Sequence, residues 1–242
     1  MARLILFDVD NTLLWSGGAG GLAMSRAFRD LFGIEDGFKA IEFSGRTDRY
    51  ILAEALRQHG INGDYEKHQE GFLERYYFHL PQTLGEMQGR LMPGFPALLD
   101  ALAGQPGVRL GLATGNFSRA AELKLAHYGI ERYFGGGGFG EESEDRSVIV
   151  RNAVERLGEG ASAAEAVVIG DTPHDVSSAK ANGAVAVAVA TGGHTADQLR
   201  DSGADLVFDD FSDWRGAAAT LAAALATASR LRRQTGARPD AA

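Results

Sequence analysis

Short β-branched apolar runs, separated by longer stretches of helical periodicity, set the rhythm of the chain. Leu4–Phe7, Val108–Ala113, Ala166–Ile169, Ala184–Ala190 and the shorter Asp205–Phe208 read as strands. Near-continuous apolar runs of this kind suit strands buried on both faces of a parallel sheet. Between the later runs, Phe117–His127, Ser147–Leu157, Asp175–Asn182 and Ala196–Asp201 have helical spacing, and Gly129, Gly158 and Gly183 stand where helix ends are expected. Strands alternating with helices predict repeated βα units around a parallel sheet, an α/β fold.

From about Trp15 to Gly89 that rhythm breaks. The apolar residues fall at helical spacing: Leu22, Ala23, Ala27, Phe28 and Leu31, then Ile51, Leu52, Ala55 and Leu56, then Phe72, Leu73, Tyr76, Tyr77 and Leu80. This predicts a small helical domain over residues 15–89, inserted into a core of residues 1–14 and 90–228 and rejoining it near Met92-Pro93-Gly94. The segment leading into it contains Gly17, Gly18, Gly20 and Gly21, which suits a hinge or flexible flap. Gly135–Gly138 reads as a mobile loop tip, and residues 229–242 as a frayed tail.

Composition narrows the chemistry. At 242 residues, 45% hydrophobic and 23% charged, the chain is that of a soluble globular protein. It has no cysteine, which excludes disulfides, thiolate metal sites and cysteine nucleophiles. No long uncharged apolar span and no signal-peptide pattern is present, so no membrane association and a cytoplasmic location are expected. A net charge of −8 argues against nucleic acid as a partner. Only Lys39, Lys67, Lys124 and Lys180 are lysines, so few positions could host a catalytic one.

The chemistry-bearing residues stand at strand ends. Asp8 and Asp10 follow the first run, Thr114, Gly115 and Asn116 the second, and Asp171 and Asp175 a later one; an acidic loop, Glu141–Asp145, and then Arg146 lie between. In a parallel sheet these ends share one edge, where ligands bind. Several acids in one pocket need a compensating cation, and oxygen-only ligands favour Mg2+. Taken singly, each piece also suits an ordinary turn or helix cap, Thr114-Gly115-Asn116 especially. Together, at successive strand ends, they are specific.

These residues resemble the haloacid dehalogenase superfamily, in its phosphoglycolate phosphatase and β-phosphoglucomutase-like branch. The resemblance rests on Asp8-Val9-Asp10-Asn11-Thr12, on Thr114 and on Gly170-Asp171-Thr172-Pro173-His174-Asp175. It implies a Rossmann-like doubly wound parallel sheet core with an inserted helical cap. It also implies a Mg2+-dependent phosphatase acting on a small phosphorylated metabolite. In that scheme Asp8 is the nucleophile and a metal ligand, and Asp10 the acid and base, with its backbone carbonyl also on the metal. Asp171 is a metal ligand, and Asp175 orients metal waters or Arg146. Thr114, the amides of Gly115 and Asn116, and a motif-three cation hold the phosphate. The family's usual lysine is missing, since none lies between Lys124 and Lys180; Arg146 is the replacement, with Arg151 as runner-up. The second aspartate favours phosphate esters over haloacids. A sugar-phosphate mutase using the same aspartyl-phosphate, and a non-catalytic binding module, are the alternatives.

In the inserted block, Ser44-Gly45-Arg46-Thr47-Asp48 reads as a helix start capped by Thr47. The resemblance adds that Arg46 faces the substrate from the cap. Phe72, Tyr76 and Tyr77 read as cap core, and His174 as a solvated neighbour of the acids without a catalytic role.

Overall fold

The computed structural model describes residues 3–160 and 163–235. In chain order its strands are β1 (Arg3–Phe7), β2 (Leu14–Trp15), β3 (Arg90–Leu91), β4 (Val108–Ala113), β5 (Gly137–Gly138), β6 (Ala166–Gly170), β7 (Val185–Val189) and β8 (Leu206–Phe208). Six form one parallel sheet in the order β5-β4-β1-β6-β7-β8, and β2 and β3 pair as an antiparallel ribbon. The helices are α1 (Ala19–Phe32), α2 (Asp48–Gln58), α3 (Tyr65–Glu86), α4 (Ala97–Ala103), α5 (Ser118–His127), α6 (Arg146–Leu157), α7 (Pro173–Ala181), α8 (Ala196–Asp201) and α9 (Trp214–Thr235). Among the described residues, no helix is long and apolar enough to cross a membrane.

β1 explains the doubly wound arrangement. Its residues alternate between two apolar layers: Ile5 and Phe7 join Leu98, Leu112 and Leu221 on one face, while Leu4 and Leu6 join Val150, Val154 and Val176 on the other. All four are fully buried, each such side chain stabilising by about 1.5–3 kcal/mol. The chain leaves β1, builds β4 and β5 on one side, then returns to build β6, β7 and β8 on the other. That reversal opens a crevice beyond the C-terminal end of β1.

α1, α2 and α3 surround a separate apolar cluster containing Ala23, Phe28, Leu52, Phe72, Tyr76 and Leu80. Phe117 and Ala120, at the start of α5, belong to this cluster, while Ala121 and Leu125 of the same helix pack in the sheet core. One helix thus ties the two bodies together. The block starts and ends at the β2–β3 ribbon, where Leu14 pairs with Leu91 and Trp15 with Arg90.

Several expectations are corrected. Gly137 and Gly138 are a buried edge strand paired with Leu112 and Ala113, not part of a loop tip. A Cβ at Gly137 would collide with the Leu112 carbonyl, so the run of glycines there answers to close packing. Gly17 and Gly18 have left-handed backbones ahead of α1, but Gly20 and Gly21 lie inside that helix. α9 continues to Thr235, so the first residues of the expected tail are helical; residues 236–242 lie outside the described residues.

Candidate active site

Asp8 is still held by the sheet, its backbone N–H donating to Ile169 O at 2.9 Å. The chain then turns sharply: Leu13 N–H donates to Val9 O at 2.9 Å and Asn11 N–H to Leu14 O at 2.7 Å. Asn11 takes the left-handed conformation at φ 58°, which asparagine tolerates better than most residues. A strand end followed at once by a closed turn fixes where Asp8 and Asp10 stand.

Asp8, Asp171 and Asp175 are buried, and each offers a carboxylate oxygen within 4.8 Å of the others. Burial pushes Asp8 up to about 6, with Asp175 adding to the effect while Arg146 and the Thr114 hydroxyl oppose it. Burial, then Asp175 and Asp8, push Asp171 up to about 8. Arg146 Nη2 stands 3.4 Å from Asp8 Oδ1 and also bonds Asp175 Oδ1. Burial opposes the charge on Arg146, yet Asp175, Asp8 and Asp171 together hold its pKa above the ordinary arginine value. Arg151 is exposed on α6, leaving Arg146 as the cation of this cluster.

Both oxygens of Asp175 are hydrogen-bonded. Its Oδ2 accepts from Thr172 N at 3.0 Å and from Thr172 Oγ1 at 2.7 Å, closing the capping box of α7, while Oδ1 takes Arg146. It orients Arg146 and caps the helix together.

The Asp10 side chain does not join the cluster of Asp8, Asp171 and Asp175. Its Oδ2 accepts from Lys124 Nζ at 2.6 Å and from Asn116 Nδ2 at 2.8 Å. Asn116 Oδ1 accepts from the same ammonium at 2.6 Å. The Asn116 backbone N–H donates to Thr114 Oγ1 at 3.2 Å.

The helical block closes over this floor. Arg46 and Thr47 pass directly against Gly115, where a Cβ would collide with the Arg46 carbonyl oxygen. Asp48 is bound to the sheet domain twice: its N–H donates to Gly115 O at 2.7 Å, and its Oδ2 accepts from Phe117 N at 2.9 Å. Burial pushes the Asp48 carboxyl up to about 7, against the opposing charge of Lys124. A cavity of about 270 Å³ remains between the bodies, lined by Asp8, Asp10, Lys124 and Arg146 below and by Met24, Arg46, Ile51 and Tyr76 above. Arg46 lies over the Tyr50 ring at 4.8 Å, and its Nε is buried without a hydrogen-bond partner.

The acidic loop does not converge on the cavity. The Glu141 carboxylate accepts from Ser118 N at the start of α5, Asp145 caps α6 through Ser147 N, and Glu142 pairs with Arg156. Two residues escaped sequence reasoning. Asp48 read only as a first-turn acid. Lys124 did carry a signal, since it occupies the buried stripe of α5 with Ala120, Ala121 and Leu125. His174 lies exposed beside Gly45, and desolvation there, then Arg46 and Arg146, lower its pKa.

Comparison with known proteins agrees with this geometry. A family model described as haloacid dehalogenase-like hydrolase matches residues 2–183. The chain is 30% identical over 229 residues to "Probable phosphatase IndB" of Dickeya dadantii, covering 91% of this chain and 95% of that one. It is also 30% identical over 229 residues to a phosphoglycolate phosphatase of Rhodospirillum rubrum, covering 89% and 92%. The fold superimposes on that of CbbY from Rhodobacter sphaeroides, crystallised with phosphate, with TM-score 0.65 and 21% identity, covering 88% of this chain and 96% of that one.

Proposed function

Because the chain belongs to the haloacid dehalogenase-like hydrolase family, we propose that it hydrolyses a small phosphate monoester through an aspartyl-phosphate, with Asp8 as nucleophile. The observation that carries this reading is the convergence of Asp8, Asp171 and Arg146, backed by Asp175, on the floor of a covered cavity of about 270 Å³. A cavity of that size suits a small metabolite.

The Asp8 carboxylate attacks phosphorus in line; its new P–O bond forms as the ester P–O bond breaks and the alcohol oxygen departs. Asp10 gives that oxygen a proton, then takes one from the water that hydrolyses the aspartyl-phosphate. Water attack frees phosphate and restores Asp8. Thr114, the Gly115 N–H and Arg146 hold the equatorial oxygens, where charge is spread in the transition state. Arg46, reaching in from the cap, binds the rest of the substrate, and cap closure excludes bulk water.

The donor set fits magnesium. Three buried carboxylates face one guanidinium, and two of them have raised pKa values, as expected of a site short of positive charge. Asp8 and Asp171 would hold the ion, with Asp175 retained by Arg146 and Thr172. Bound there, magnesium offsets the repulsion between carboxylate and phosphate.

The test is phosphate release from a panel of phosphate esters, 2-phosphoglycolate first because of the named relative. Asp8→Asn should abolish Mg2+-dependent release while leaving the circular dichroism spectrum unchanged. Isomerisation of a sugar phosphate without release of phosphate, or a wild-type protein inert across the panel, would overturn the reading.

A further inference from the structure

Lys124 has no part in the scheme above, yet it is 4% exposed and its ammonium lies at the cavity wall. A buried lysine is costly unless paired, and this one is paired twice: Asp10 Oδ2 and Asn116 Oδ1 both stand 2.6 Å from Nζ. Asn116 Nδ2 donates in turn to Asp10 Oδ2 at 2.8 Å and to Thr114 Oγ1 at 2.9 Å. Lys124, Asn116 and Asp10 therefore form a closed ring of three hydrogen bonds.

Both donors engage the same Asp10 oxygen. Among the described residues, no protein donor bonds Oδ1, and the Asp10 side chain remains 36% exposed at the cavity. The approach to Nζ is also shaped for it. A Cβ at Gly20 of α1 would lie 3.3 Å from Nζ, closer than side chains ordinarily pack, and in ordinary contact with Cε at 3.5 Å.

Resting on the phosphatase reading, we propose that Lys124 is a positioning residue for Asp10: it pins one carboxylate oxygen against Asn116 and leaves the other to serve the departing oxygen of the ester. The catalytic consequence follows from what Asp10 does. An alkoxide leaving group needs a proton in the transition state, whereas a nitrophenolate departs well without one. Loosening Asp10 should therefore penalise alkyl esters selectively.

Lys124→Met removes both hydrogen bonds at similar volume. With Mg2+ present, its kcat on the alkyl ester that wild type turns over fastest should fall roughly 10-fold to 100-fold, with KM little changed. On p-nitrophenyl phosphate the loss should be several times smaller, and Lys124→Arg should recover part of the alkyl-ester rate. Should Lys124→Met fail to fold, Gly20→Ala crowds the ammonium while keeping its charge and must show the same selective loss. Equal losses on the two esters would mark Lys124 as structural. A rise in KM alone would make it a substrate-binding group, and either result overturns the proposal. A wild-type protein inert on both ester types would instead bring down the phosphatase reading, and the proposal with it.

Discussion

The Asp48 carboxylate, carried by the cap, accepts the backbone N–H of Phe117 in the sheet domain at 2.9 Å. Phe117 precedes α5 and has no side chain able to cap that helix, so the cap supplies the acceptor. Asp48→Ala should leave this N–H unpaired and cost about 1–3 kcal/mol in urea unfolding. A variant as stable as wild type would show that the contact does not hold the cap.

The same carboxyl makes stability depend on pH. Its pKa rises from 3.8 to about 7 on folding, so its contribution is fully present below 3.8 and is lost as pH climbs through 7. Asn keeps the acceptor without the charge. Relative to Asp48→Asn, wild type should lose up to about 4 kcal/mol between about pH 4 and pH 7. Parallel unfolding curves for the two proteins across that range would contradict the assignment.

Magnesium should stabilise the protein more as pH rises. Asp8 and Asp171, raised to about 6 and about 8, favour the fold when protonated and oppose it once ionised. A cation bound to the ionised pair reverses that penalty, and its binding displaces protons. Differential scanning fluorimetry should show a larger Mg2+-induced rise in Tm at about pH 8 than at about pH 5.5. Calorimetry in buffers of different ionisation enthalpy should detect proton release. No Mg2+ effect at either pH would argue against a cation at these acids.

One nitrogen of Arg146, Nη2, serves both Asp8 and Asp175. A lysine ammonium can stand at a single point too, so Arg146→Lys should keep activity to within roughly tenfold. Arg146→Ala leaves three buried acids facing one another and should cost about 3–5 kcal/mol without magnesium. Its phosphate release should fall far below that of Arg146→Lys; equal rates for the two variants would show that the cation is dispensable.

Gly115 is where the cap backbone touches the sheet domain. Gly115→Ala sets a methyl group against the Arg46 carbonyl oxygen and should destabilise by about 1–3 kcal/mol. Because Arg46 moves with that segment, KM should rise more than kcat falls. A silent substitution would mean that the cap rides higher than in this structure.

The strands and the site were legible to different depths, for physical reasons. β1, β4, β6 and β7 announce themselves because both faces are buried, which forces continuous apolar runs. β5 has no side chains to form a pattern, since Gly137 is held by backbone packing alone. Asp8, Asp10, Thr114, Asp171 and Asp175 sit at or just beyond strand ends, so a parallel sheet brings them to one edge before any coordinates are known. Lys124 and Asp48 reach the same place from helices, and their arrival depends on how two bodies dock. The acids of Glu141–Asp145 look alike in sequence, yet they serve helix ends and an ion pair.

The central place of β1 also governs how the protein is made. Arg3 pairs with Val108 and Leu4 with Ala166, so β1 waits for partners synthesised much later. Residues 19–86 meanwhile contain a helical unit whose apolar cluster lies within that segment apart from Phe117 and Ala120. Until Val108–Ala113 and Ala166–Gly170 have been made, Leu4–Phe7 is an apolar run without its sheet partners.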